Sequence, residues 1–175
     1  MGFLRACSAV LLACSRLAAA QPSFENALAS HQNLSNFLEL LRYTAPSVLK
    51  QINDATSDNP ITVLAPSNEA FKRIPYVDVL APAWANNDTA AITAITQYHV
   101  IPGTWTSKNL NGSFEFLPTL LRNQSWTTVT GGQRIGAVLP GAIVPQVVFV
   151  SGQSTRSVVS KEGIQFKGGR VPPCD

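Results

Sequence analysis

Few residues in this sequence are of the types that do chemistry. There are two histidines, His31 and His99, and three cysteines, Cys7, Cys14 and Cys174. No His-Glu-x-x-His pair, paired cysteines or carboxylate cluster supplies a metal-ligand set. No Gly-x-Ser-x-Gly elbow presents a nucleophile. The acidic residues are scattered, which speaks against the paired carboxylates of glycoside hydrolysis. The double glycine of "TGGQR" reads as a hairpin turn and not as a phosphate loop. Nothing marks a partner for a relay through His99. That residue follows Tyr98 at the end of a helical pattern, where a half-buried ring bonded to backbone is its simplest use, with Tyr98 packing through its ring. The functional alternative makes Tyr98 and His99 part of a recognition surface. No enzyme, metal or cofactor is expected.

The stretch "ITVLAPSNEAF", Ile61 to Phe71, poses the sharpest question, because strand-to-helix turns often carry chemistry. Its residues all have structural uses. "ITVL" is a short apolar run rich in β-branched residues and reads as a strand. Pro66 ends it. Ser67 is suited to cap a helix by accepting from a free amide of the first turn. Glu69 lies where the helix dipole favours negative charge. Ala70, Phe71 and Ile74 are expected to bury together, and Pro75 closes the helix. No glycine lets a phosphate approach, so the stretch reads as a corner of the fold.

The elements that position this corner follow from periodicity. Leu34, Phe37, Leu38 and Leu41 recur along one helical face. A second short helix is expected with Pro46 in its first turn and Val48, Leu49 and Ile52 inward. "DATSDNP" is a polar turn. "TAAITAITQYHV", capped by Asp88, is expected to be helical, with Ala91, Ile95 and Tyr98 on one line and Ile92, Ile95 and His99 on another; "IPG" stops it. From about Thr104 the runs "TWTSKNL", "WTTVT", "RIGAVL", "QVVFVS", "SVVS" and "GIQF" alternate with turn residues. Helices followed by locally connected strands define an α+β class with a largely antiparallel sheet system.

Residues 1–20 read as a secretory signal: Arg5, then the apolar run Ala6 to Ala13, then Ala18 and Ala20 at the positions a signal peptidase reads. The run is too short to span a bilayer. Residues 21–175 then form a single domain. The mature chain holds 11 Lys and Arg against 10 Asp and Glu, and lacks the basic cluster of a nucleic-acid binder. Cys174 is its one cysteine, unpaired within the chain or paired between chains. Four Asn-x-Ser/Thr sequons, at Asn33, Asn87, Asn111 and Asn123, point to an N-glycosylated extracellular protein and place those asparagines on the surface.

The stretch "ITVLAPSNEAFKRIP" resembles the first signature segment of the fasciclin-type domain, matching it at Thr62, Val63, Leu64, Ala65, Pro66, Ser67, Asn68, Ala70 and Phe71. "QYHVIPG" looks like the Tyr-His segment that follows in that family, and "FLPTLLRNQSWTTVTGGQRI" is similar to the strand region of fungal members. The resemblance covers roughly Phe24 to Gly169. It implies a helical cluster packed on a β-wedge of mostly antiparallel strands. It also implies residence outside the cell or at its surface, and adhesion to matrix or cell wall. The expected partner is an extracellular protein or glycan, a second copy included, with no nucleic acid and no transmembrane segment. The Tyr-His segment is implicated in adhesion in some animal members, which the resemblance carries onto Tyr98 and His99. The alternative is a secreted binder holding a small ligand in a pocket between helices and sheet. The family's second signature departs here: after "IQFKGG" the chain reads "RVPPCD", without its His and Asp. Two prolines cannot both donate to a sheet ladder. The ending is therefore expected to lack its last strand and to leave an open sheet edge.

Overall fold

The computed structural model describes residues 21–76, 80–106, 108–110, 113–139, 147–151, 156–159 and 163–174. The expected signal segment 1–20 and the sequon at Asn111 lie outside these residues.

The described residues begin with three short helices. Ser23 caps α1 (Phe24–Ala29) by accepting from the Asn26 amide. A 3₁₀ turn at Gln32–Leu34 leads into α2 (Ser35–Tyr43), which buries Phe37, Leu38 and Leu41 as its period requires. In α3 (Pro46–Asn53), Pro46 occupies the first turn, Val48 and Ile52 are buried, and Leu49 packs against them half-exposed. Two strands, β1 (Ile61–Val63) and β2 (Ala65–Pro66), lead into α4 (Asn68–Arg73) and a 3₁₀ turn at Ile74–Tyr76.

Here the expectation needs adjustment. Ala70, Phe71 and Ile74 are only half-buried. Phe71 leans on the helical core and meets Trp84 edge-on at 5.7 Å. Trp84 belongs to α5 (Ala81–Ala85), a helix too short to show a period in the sequence. The next helix, α6 (Thr89–Tyr98), buries Ala91, Ile92, Ala94 and Thr96, while Ile95 stays half-buried. Small residues face inward because α6 packs closely on α3. The Thr96 hydroxyl is satisfied by donating to the Ile92 carbonyl at 2.7 Å.

The remaining strands are β3 (Val100–Pro102), β4 (Glu115–Pro118), β5 (Arg134–Val138), β6 (Val148–Val150), β7 (Arg156–Val158), β8 (Ile164–Phe166), β9 (Gly169–Val171) and β10 (Pro173–Cys174). Among the described residues of "TWTSKNL" and "WTTVT", read as strand-like, none is in a strand: the side chains of Thr106 and Thr127 bond nearby backbone instead. One sheet has the order β3-β1-β9-β8, with β1 and β9 parallel. Another is the antiparallel meander β4-β5-β6-β7. A further two-stranded pairing joins β10 to β2 in parallel. The architecture is α+β with mostly antiparallel pairing.

The "RVPPCD" ending differs from the open edge expected of it. Gly169 and Arg170 pair with β1, and Pro173 and Cys174 pair with β2. The prolines do not need to donate. The Pro172 and Cys174 carbonyls accept from the amides of Ala65 and Ser67. Val171, Pro172, Pro173 and Cys174 are all buried.

Candidate functional site

The corner expected from the sequence is built by hydrogen bonds. Thr62 is completely buried on β1; its hydroxyl donates to the Gly103 carbonyl at 2.8 Å and accepts from the Trp105 amide at 3.0 Å. Ser67 caps α4 by accepting from the Ala70 amide at 3.3 Å. Asn68 makes three bonds across to the start of α2. Its Nδ2 donates to the Gln32 carbonyl and the Ser35 hydroxyl, and its Oδ1 accepts from the Asn36 amide. Val63 and Ala65 are fully buried in the helical core, and Pro66 is half-buried. None of these side chains is left over for a reaction.

Tyr98 and His99 sit where α6 turns into β3. The Tyr98 ring packs on the β-side core and its hydroxyl donates to the Arg134 carbonyl at 3.4 Å. His99 Nδ1 lies 2.8 Å from the Ile95 carbonyl, which fixes the Nδ1–H tautomer. Burial pushes the His99 pKa below its ordinary value, and the bond to Ile95 opposes that shift. The two rings meet edge-on at 6.2 Å. Both residues are half-buried. Cys174 is buried, with Sγ 3.6 Å from the Pro172 carbonyl, which argues against pairing between folded chains.

Three sequon asparagines fall on described residues, and Asn33, Asn87 and Asn123 are all exposed. Asn87 adopts a left-handed backbone with φ of 54° between α5 and α6. Asn123 Oδ1 accepts from the Ser125 amide at 2.9 Å.

Two surface features had no clear signal in the sequence. The outer face of the β4–β7 sheet carries Phe114 and Phe116, 49% and 64% exposed, stacked edge-on at 5.1 Å. Their side of the sheet continues through Val138, Val148, Val150 and Val158 by register. The second feature is an open groove of about 520 Å³ between α6, the start of α3 and the segment Leu120–Trp126. Only the alternation around 114–118 and 134–138 could have revealed the first. The second joins three segments distant in sequence and leaves no local pattern. Among the described residues no group of three His, Cys, Asp or Glu could hold a metal ion, and no helix is long and apolar enough to cross a membrane.

A Fasciclin domain model matches residues 32–165. The chain is 29% identical over 151 residues to the fasciclin-like arabinogalactan protein elcF of Phaeosphaeria nodorum, a match covering 84% of this chain and 44% of that protein. Its fold is similar, with a TM-score of 0.61 at 21% identity, to the FAS1 domain pair of the insect cell adhesion molecule fasciclin I. That match covers 82% of this chain and 44% of the other. The chain thus belongs to the fasciclin domain family, a class associated with adhesion-type extracellular proteins. It spans less than half the length of both relatives.

Proposed function

We propose that this chain is a secreted, N-glycosylated contact module. It holds a cell surface, wall or matrix through an extracellular protein or glycan, a second copy included, and it is not a catalyst. The observation that carries this reading is the fasciclin match across residues 32–165. The chemistry-capable side chains of the two matching segments support it, since Ser67 and His99 are bonded within the fold. Residues 1–20 would direct secretion, and Asn33, Asn87, Asn111 and Asn123 would carry glycans.

Two surfaces compete for the contact. The resemblance favours Tyr98 and His99; exposure favours Phe114 and Phe116. Beads coated with the protein, scored for self-aggregation and for capture of cell-wall fragments, separate them. Capture lost in Phe116→Ser, but kept in Tyr98→Ala/His99→Ala at equal folded fraction, assigns the sheet face. The reverse assigns the Tyr-His segment. No capture by the unmodified protein rejects the contact reading.

The groove favours a second reading, a binder of a small polar ligand. A soluble ligand that raises Tm and loses that effect in Gln97→Ala would support it.

A further inference from the structure

The segment Thr119–Gln133 forms one wall of the groove and is tied at its base by hydrogen bonds. The Thr119 amide and hydroxyl both donate to the Gln133 carbonyl, and the Gln133 amide donates back to Leu121 at 2.8 Å. The Thr127 hydroxyl donates to Gln133 Oε1 at 3.0 Å, and the Leu120 amide donates to Val100. Facing this wall across the groove are Ser47 at the start of α3 and Thr93 and Gln97 on α6. Arg122 and Trp126 stand on the wall itself, with Trp126 45% exposed. Among the described residues, none of these five side chains bonds another protein group. No carboxylate lines the groove.

Ligand clefts of about 300–1,000 Å³ are usually lined mostly by apolar groups with a few polar ones. This one reverses that balance. Hydroxyls, two amides and a guanidinium share the lining with a single indole and a few smaller apolar groups. That mixture suits a sugar ring, whose hydroxyls need partners at the edge and whose C–H face packs on an aromatic.

Asn123 stands on the rim. Its Oδ1 is occupied by the Ser125 amide, while its Nδ2 makes no bond among the described residues. The turn closes through the Trp126 amide, which donates to the Asn123 carbonyl at 2.9 Å. Asn123 and Trp126 both line the groove and lie three residues apart on one turn, so a sugar on Asn123 Nδ2 starts within reach of the indole.

We propose that the groove is the seat of the chain's own Asn123-linked glycan, whose first sugars pack on Trp126 and bond Gln97 and Thr93. This rests on the reading that the chain is secreted and N-glycosylated. Attachment by the host's oligosaccharyltransferase joins Nδ2 to the anomeric carbon of a lipid-linked oligosaccharide. The carbon–oxygen bond to the lipid diphosphate breaks, that diphosphate leaves, and Nδ2 gives up one proton to the enzyme's base. Occupied this way, the groove is closed to free ligands, and the glycan reinforces the join between α6 and the β region.

The test uses the full chain secreted from a eukaryotic host, with each sequon mapped by glycopeptide mass spectrometry. Ser125→Ala removes the sequon but keeps Asn123 and its bond to the backbone amide of residue 125. It is expected to lower Tm by about 2–4 °C, while Asn33→Gln leaves Tm unchanged. Trp126→Ala is expected to remove the effect, so that adding Ser125→Ala to it costs nothing further. Acrylamide quenching of indole fluorescence gives a second readout if Trp126→Ala folds poorly. It should increase in Ser125→Ala, and the increase should vanish in a Trp126→Phe background. A bare Asn123 beside occupied Asn33 and Asn87 overturns the inference and leaves secretion intact. So do additive effects of the two substitutions, or a quenching increase that persists in Trp126→Phe. No glycan on any sequon overturns both.

Discussion

Thr62 is a completely buried polar residue on a central strand, and it is tolerated because both bonding roles of its hydroxyl are used. Thr62→Val keeps the shape and removes both bonds, leaving the Trp105 amide and the Gly103 carbonyl short of a partner. The expected cost is about 1–3 kcal/mol. It should appear in urea unfolding as a lower midpoint at unchanged slope. His99 makes the matching prediction in pH. Its folded pKa lies below the ordinary 6.5 because burial disfavours the charged ring. The unfolded chain therefore binds a proton near that value before the folded chain does. Its contribution to stability is intact above 6.5 and is lost as pH falls from there through the folded pKa. Melting curves between about pH 8 and pH 5 should show Tm falling on the acid side, and less steeply in His99→Gln. The Ser67 cap and the half-buried His99 were legible from residue type and local position. The bonds of Asn68 and Thr62 were not, because their partners on other segments are brought near only by the folded chain.

At the scale of elements, α6 depends on Asp88, whose carboxylate accepts from the amides of both Ala90 and Ala91. Asp88→Ala should cost about 1 kcal/mol, read as a lower unfolding midpoint, with the α6 side of the groove loosened alongside. The β8–β9 hairpin depends on Gly168. Its φ of +92° is one L side chains rarely adopt, and an added Cβ would run into the Ala55 carbonyl. Gly168→Ala should therefore cost about 1–3 kcal/mol from backbone strain alone, with the collision adding to it. Unfolding midpoints alongside Gly131→Ala, where nothing lies within reach of an added Cβ, separate collision from strain. Helices with a clear apolar period were legible in the sequence, as were the caps at Ser67 and Asp88 and the turn at Gly131 and Gly132. The parallel pairing of β9 and β10 with β1 and β2 was not. Parallel partners sit far apart in the chain, and their only trace is a short apolar run. The prolines then misdirected the reading, since a proline that cannot donate can still accept.

Among the described residues two cores meet, and one segment belongs to both. Ile61, Val63 and Ala65 face the helical core with Phe37, Leu41 and Phe166, while Leu64 faces the β-side core with Ile101, Leu117 and Phe149. The C-terminal segment repeats this division: Val171 is fully buried in the first core and Cys174 is buried in the second. Residues 169–174 thus bridge the same two cores as residues 61–66, lying beside them in parallel. Removing 169–175 would strip β1 of its neighbour on one side, separate β8 from its sheet and open both cores at once. Hydrophobic burial is the dominant favourable term in folding, so losing contacts in both cores exceeds what a domain of this size has in reserve. The shortened chain is expected to keep far-UV helical signal from α1 to α3, lose near-UV signal, bind ANS and melt without a cooperative transition. A sharp transition with near-native Tm would show instead that the helical core stands alone. Val171→Ser tests the same link within the full chain. It places an unpartnered hydroxyl in the first core only, so midpoints followed by far-UV circular dichroism and by fluorescence of Trp105, which packs on the second core and is isolated as a probe by Trp84→Phe and Trp126→Phe, should still coincide if the two cores unfold as one.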